Sequence, residues 1–248
     1  MIVLRSREEL EKLRVSNRVV AETLHELTRA VRPGETTLAL DALAERLLRE
    51  RGAVPAFKGY RGYRHTICAS VNEEVVHGIP SERKLKEGDI VSLDLGALVE
   101  GYYGDSAVTV PVGRVSPEAR RLLRVCEGAL YEGIARARAG NRLFDISHGI
   151  QSYVERHGYS VVRVFVGHGI GTELHEEPQV PNFGEPATGP PLCEGMVLAL
   201  EPMVNVGGSD VKVLGDDWTA VTADGTLSAH FEHSVAVTRN GPIVLSEP

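Results

Sequence analysis

The sequence predicts an α+β fold: a curved, mainly antiparallel sheet covered by helices on one face, with an internal pseudo-twofold. Three observations predict it. The β-type runs are joined by hairpin-sized breaks, and the helical stretches are few and long. One strand pattern also occurs twice. EGDIVSLD at 87–94 returns as EGMVLALE at 194–201, and GDSAVTV at 104–110 returns as FEHSVAV at 231–237. No segment is of low complexity and no Pro/Ser linker parts the halves, so residues 1–248 read as a single domain made of two similar halves.

The elements follow in order. Residues 6–31 predict a helix opened by a Ser6/Glu9 capping box, with Leu10, Leu13 and Val20 at helical spacing and Pro33-Gly34 as its stop. A second helix runs from about Leu38 to Arg51 and ends at Gly52. Both read as core-packing amphipathic helices without chemistry. Residues 54–64, VPAFKGYRGYR, form a Gly- and Tyr-rich loop. Strand 65–71 turns at Asn72-Glu73 into a short strand ended by Gly78 to Pro80, which leaves His77 at a strand end beside a loop. Residues 87–112 read as a hairpin. Ser116 as N-cap and Pro117 as first residue open a helix over 117–138, with Leu122, Leu123, Cys126 and Leu130 as its apolar stripe. Another helix, about 146–157, starts at Asp145 and stops at Gly158. Residues 160–178 predict a strand and then a Gly-rich turn carrying His168, with His175 seven residues on. Glycines 167, 169 and 171 let backbone approach a bound group, and with no Lys-Ser/Thr following, the pattern suits a ligand histidine better than a phosphate loop. A strand over 196–204, two polar hairpin turns and a final run through LSAHFEHSVAVT complete the chain.

Alternation within the 87–112 hairpin puts Val91, Leu93, Leu95 and Ala97 on one face and Asp94 on the other, beside Ser92 and Gly96. On the returning strand Asp105 falls opposite Val108 and Val110. A two-residue loop at Val99-Glu100 sets Asp94 directly across from Asp105, with Cβ atoms about 5 Å apart. The repeat matches Asp94 to Glu201 and Asp105 to Glu232. Four acids converging near a pseudo-twofold cannot all be buried as anions without cations. A hard, oxygen-rich site for one or two divalent metals is the natural solution, with His168 as a nitrogen ligand.

Composition is ordinary for a globular chain of 248 residues, and the net charge of −7 gives no reason to expect a nucleic acid or an anionic membrane as partner. Cys68, Cys126 and Cys193 form no CxxC pair, so neither a disulfide scaffold nor a zinc knuckle is indicated, and free thiols suit a cytoplasmic location. No signal peptide and no apolar stretch of membrane-spanning length is read.

The motifs VVHGIP, SLDLG, GDS, GHGIG, HEEP, LEPM and FEHS, in this order, resemble the type I methionine aminopeptidases, the short bacterial form within peptidase family M24. The resemblance covers nearly the whole chain. It implies the pita-bread fold and a cytoplasmic, monomeric hydrolase that removes the first methionine from nascent polypeptides, preferring a small second residue. It implies two divalent ions (Co, Fe, Mn, Zn or Ni), held by Asp94, Asp105, His168, Glu201 and Glu232, with Glu201 also moving the proton. It implies that His77 and His175 are catalytic and touch the substrate. It gives Tyr60, Tyr63, Cys68 and Trp218 to the methionine pocket, and Asn72 and Ser228 to a monovalent cation. Transient ribosome contact is expected, without an N-terminal zinc-finger or proline-rich appendage. Leu174 stands where the family commonly has Phe, and Phe57 where smaller residues are common, as if volume had been exchanged across the pocket. The rival readings are an Xaa-Pro aminopeptidase of the same fold, a mononuclear metal-binding protein and a non-catalytic binding protein.

Overall fold

The computed structural model describes residues 1–247. Its main sheet has nine strands. Four antiparallel neighbours form its middle: Ile90–Val99, Tyr102–Pro111, Glu232–Thr238 and Val197–Leu200. Ile67–Val71 flanks the first of them, and Gly167–Gly169 and Glu176–Val180 extend the sheet beyond the last. The predicted pita-bread arrangement is the one observed.

Helix α1 (Arg7–Ala30) carries the predicted capping box: the Glu9 N–H donates to Ser6 Oγ, and the Ser6 N–H to the Glu9 carboxylate. With α2 (Thr37–Glu50) it covers the face of the first hairpin that carries Val91, Leu93, Leu95, Val108 and Val110. Val20, Leu24 and Leu27 of α1 and Leu40, Ala44 and Leu48 of α2 pack on Val91, Leu93 and Leu95. Helices α3 (Pro117–Ile134) and α4 (Leu143–Arg156) do the same for the second half, packing Leu122, Leu130, Ile146 and Ile150 on Leu198, Leu200, Val235 and Val237. Each buried Leu or Ile contributes about 1.5–3 kcal/mol. Those two cores fix the helix-facing side of the sheet, and the acids are left on the other.

The hairpin register differs from the expected one. Its loop is Glu100-Gly101, both with positive φ (48° and 84°), and Val99 pairs with Tyr102. A type I′ turn needs left-handed backbone at both positions, which glycine takes freely and a β-branched valine resists. Asp94 therefore pairs with Ala107 and Asp105 with Gly96, a two-residue slip that keeps both acids on the predicted face.

Other boundaries move for local reasons. Helix α3 stops at Ile134, where Arg136 and Ala137 donate to the Gly133 and Ile134 carbonyls in tight turns, and Leu123 is only half-buried. Asp145 is the third residue of α4, reaching back to the Arg142 N–H at 2.7 Å, and does not start the helix. The expected 196–204 strand is two strands. Pro202 cannot donate to a ladder, and after it Met203–Asn205 joins a second sheet with Ser228–His230 and Ser160–Val161. The chain returns to the main sheet after Phe231, so Glu201 and Glu232 stand where it crosses between sheets.

Candidate metal centre

The ladders arrange the site in two rows. In the first, Cys68 pairs with Asp94, Asp94 with Ala107, and Ala107 with Glu232. Two residues along, Gly96 pairs with Asp105, while Ser234 pairs with Ala199 and Ala199 with His168. Ser234 Oγ ties the second row together by donating to the Asp105 carbonyl at 2.9 Å. Alternation puts both rows on the face away from the helices. The residues between the acids are Gly, Ala and Ser, which leave space above the sheet for the charged side chains.

Ligand atoms of Asp105, His168 and Glu232 all lie within 4.8 Å of one another. His168 sits on a short strand, Gly167–Gly169, rather than in a turn; the strand is too brief to be read between its glycines. Its Nδ1–H donates to the Gly169 carbonyl at 2.9 Å. That leaves the Nε2 lone pair facing Glu201 Oε1 at 3.6 Å and Asp105 Oδ2 at 3.9 Å. Burial holds the imidazole neutral by lowering its pKa to about 4.

Burial has the opposite effect on the acids. It raises Asp94 to about 7, and it pushes Asp105, Glu201 and Glu232 well above the carboxylate range, reinforced by their mutual repulsion. One oxygen each of Asp94, Asp105 and Glu232 is buried without a hydrogen-bond partner. Unsatisfied buried carboxylate oxygens around a neutral imidazole lone pair are the donor set of a divalent cation. The residues present fit such an ion.

Above this floor lies a cleft of about 160 Å³. The residues predicted for the metal centre, the catalytic histidines and the methionine pocket all line it: His77, Asp94, Asp105, His168, His175, Glu201 and Glu232, with Tyr60, Tyr63, Cys68 and Trp218. Tyr60 Oη lies 2.8 Å from His175 Nδ1, and the His175 ring is 4.3 Å from that of His168. Burial lowers the His175 pKa to about 3, helped by His168 and Arg61. His77 takes a left-handed backbone (φ 61°), costly for a non-glycine, and sets its ring edge-on to Trp218 and Phe165. Tyr63 packs 4.9 Å from Trp218 and donates its hydroxyl to the Ile67 carbonyl. The Cys68 thiol is held protonated by burial and by Asp94, so it offers sulfur surface to the cleft. Phe57 and Leu174 share one apolar cluster and both line the cleft, as an exchange of volume requires. The Asn72 carbonyl accepts from the Ser228 N–H at 2.9 Å, so that pair is also brought together.

Two residues of this region carried no role in the sequence reading. Arg61 lines the cleft with its guanidinium 5.3 Å from the Tyr60 ring centroid. His230 is buried behind the acids, 3.9 Å from Glu201 Oε2. Its available signal was its parity with Glu232 two residues on; a lone histidine among apolar neighbours otherwise reads as core.

The profile of metallopeptidase family M24 matches residues 11–239. The chain belongs to family M24, among its type I methionine aminopeptidases. A methionine aminopeptidase 1 of Bacillus subtilis is 53% identical to this M24 chain over 246 residues, 99% of each. The crystal structure of a methionine aminopeptidase from Rickettsia prowazekii superposes with a TM-score of 0.98 at 40% identity, covering 99% of this chain and all of that one. A prolidase from Pyrococcus furiosus, 22% identical with a TM-score of 0.81, shares the fold; the M24 chain covers 99% of itself and 66% of that protein. Among residues 1–247 no helix is long and apolar enough to cross a membrane.

Proposed function

We propose that this M24 chain removes the N-terminal methionine from polypeptides by metal-dependent hydrolysis of the first peptide bond. One observation carries the reading: a floor of buried carboxylates and one imidazole lone pair lies beneath a small cleft walled by aromatic rings and a thiol. A thioether side chain suits such walls. Asp94, Asp105, His168, Glu201 and Glu232 would hold two divalent ions. When bound, such ions supply Lewis acidity and a water that ionises near neutral pH.

The chain's own groups do the rest. Glu201 takes the proton of the attacking water and passes it to the leaving amine. With the Tyr60 hydroxyl donating to Nδ1, neutral His175 keeps its proton on Nε2 and can donate to the oxyanion that develops on the carbonyl. His77, fixed by its aromatic neighbours, accepts from the scissile amide N–H. Phe57, Leu174, Tyr63, Cys68 and Trp218 exclude water from the methionine side chain. Nascent chains with a small second residue are the substrates, and Asn72 and Ser228 would hold a monovalent cation.

The test is release of the first residue from tripeptides beginning Met-Gly, Leu-Gly and Ala-Pro, by metal-free protein and by protein reconstituted with Mn(II) or Co(II). Metal-dependent cleavage of the Met-Gly peptide alone is expected. Cleavage of the Ala-Pro peptide instead would keep the centre and overturn the substrate.

A further inference from the structure

His230 takes no part in the reaction described above, yet it is the polar side chain of the region whose position is least explained. It ends the Ser228–His230 strand, pairs with Met203 and is 2% exposed. Its backbone is satisfied: the N–H donates to Thr109 Oγ1 at 2.9 Å, and the carbonyl accepts from that hydroxyl at 2.7 Å. Its side chain is not. Nε2 is buried with no hydrogen-bond partner and faces Glu201 Oε2 at 3.9 Å. The other oxygen of that carboxylate faces His168 Nε2 at 3.6 Å. Glu201 is thus presented to two imidazoles, one oxygen to each.

The two imidazoles differ in kind. His168 gives up its proton to a carbonyl on the far side and turns a lone pair inward. A neutral His230 with its proton on Nε2 turns a donor inward. The gap of 3.9 Å exceeds a good N–H···O distance by about 1 Å. The Glu201 main chain is anchored, its carbonyl accepting from Asn182 Nδ2 at 3.0 Å, so closing the gap needs only the side chain to turn. Leaving a buried donor without a partner is costly, which favours closure.

We infer that His230 is a positioning residue for Glu201: it holds Oε2 by a hydrogen bond and so commits Oε1 to the side of the carboxylate where His168 and the ion meet. The inference rests on the proposed reading that Glu201 holds an ion. Partners of this outer kind fix the orientation of a ligand, and their loss typically weakens metal binding by about 10–100-fold. A merely space-filling His230 makes the opposite forecast, because replacing an unpartnered buried nitrogen with carbon is neutral or stabilising.

The experiment compares wild-type protein with His230→Leu and His230→Gln. Co(II) binding is followed by calorimetry and by visible absorption, kcat and KM are measured on a Met-Gly tripeptide, and near-UV circular dichroism checks the fold. His230→Leu is expected to bind Co(II) about 10–100-fold more weakly. Its Co(II) spectrum is expected to change, and its kcat to fall more than its KM rises. His230→Gln keeps an N–H donor and is expected to recover most of both losses. If His230→Leu does not fold, His230→Met makes the same comparison with a side chain that adapts to the space. A Leu or Met variant with wild-type affinity and spectrum overturns the inference and leaves the reading of Glu201 standing. Wild-type protein that takes up no Co(II) overturns that reading, and the inference with it.

Discussion

Asp94 and Asp105 sit inside the ten-residue strands of one hairpin, whereas Glu201 and Glu232 stand where strands stop. The first pair is offset across its ladder, Asp94 facing Ala107 and Asp105 facing Gly96. The second pair lies one step beyond the His233↔Leu200 pairing, opposite each other where the strand is interrupted at Pro202. The two halves therefore share a plan and differ in where the acids sit along their strands. In the hairpin half Asp94 is paired on both sides, to Cys68 and to Ala107, and Asp105 on one, to Gly96. In the second half Glu232 pairs with Ala107 while Glu201 lies past the end of its strand, and between them the chain runs out through Met203–Asn205 and back, delivering Trp218 to the cleft on the way. Glu201, past the end of its ladder, has its main chain held by Asn182 Nδ2 on its carbonyl, and its side chain faces His168 and His230.

The largest expected effect removes one acid of the centre from each half. Asp105→Ala and Glu232→Ala should each lower kcat/KM by about 10³-fold or more, with circular dichroism unchanged. The double variant should lose little further, because the two act as a unit. Kinetics with metal analysis check this, and full activity in either single variant would mean that the halves do not share a centre.

A smaller effect separates the halves by pH. In metal-free protein the folded-state pKa of Asp94 is raised from 3.8 to about 7. Between those values the native chain binds more protons than the unfolded chain, so stability falls as pH rises through that window. Calorimetry in chelator should show a lower thermal midpoint near pH 7 than near pH 5, and excess Mn(II) should cancel the difference by holding the acids ionised. Asp94→Asn should remove Asp94's share of the slope, and Glu201→Gln that of Glu201.

The smallest effect tests two turns. Gly101 (φ 84°) closes the hairpin that carries two of the acids, and Gly241 (φ 113°) closes the turn after Glu232–Thr238, away from them. Alanine at either should cost about 1 kcal/mol in urea unfolding, through backbone conformation alone. Metal uptake should be unchanged in both, since ten ladder pairs, not the turn, keep Asp94 and Asp105 in place.

The face of each acid was legible in the sequence because side-chain parity survives a two-residue slip; the register was not, because it hinges on which two residues of Val99, Glu100 and Gly101 take positive φ. The repeat was legible because its strands keep their apolar positions at Val91, Leu93, Leu198 and Leu200. The interruptions at Pro202 and Phe231 were hidden inside runs that look continuous in hydropathy, although Pro202 alone argued against a central strand. His168 stands out in the sequence by its flanking glycines, because a three-residue strand leaves no alternation to read. The cleft assembled as the motifs implied; His230 was missed because burial and an absent partner are properties of three dimensions.

The joint between the halves has its own construction. Tyr102–Pro111 and Glu232–Thr238 share only the ladder pairs Glu232↔Ala107 and His233↔Ser106. Hydroxyls stitch the rest: Ser106 Oγ to the Glu232 carbonyl at 2.6 Å, Thr109 Oγ1 to the His230 carbonyl, and Ser234 Oγ to the Asp105 carbonyl across 129 residues of chain. Each hairpin can assemble from neighbours in sequence, but this joint closes a long loop, and long-range pairing comes late when a chain folds. The carboxylates meet only once it has closed. A polypeptide that grips an ion between Asp105 and Glu232 has thereby already completed its own assembly, and metal uptake in a refolding experiment would mark the moment at which the last seam shuts.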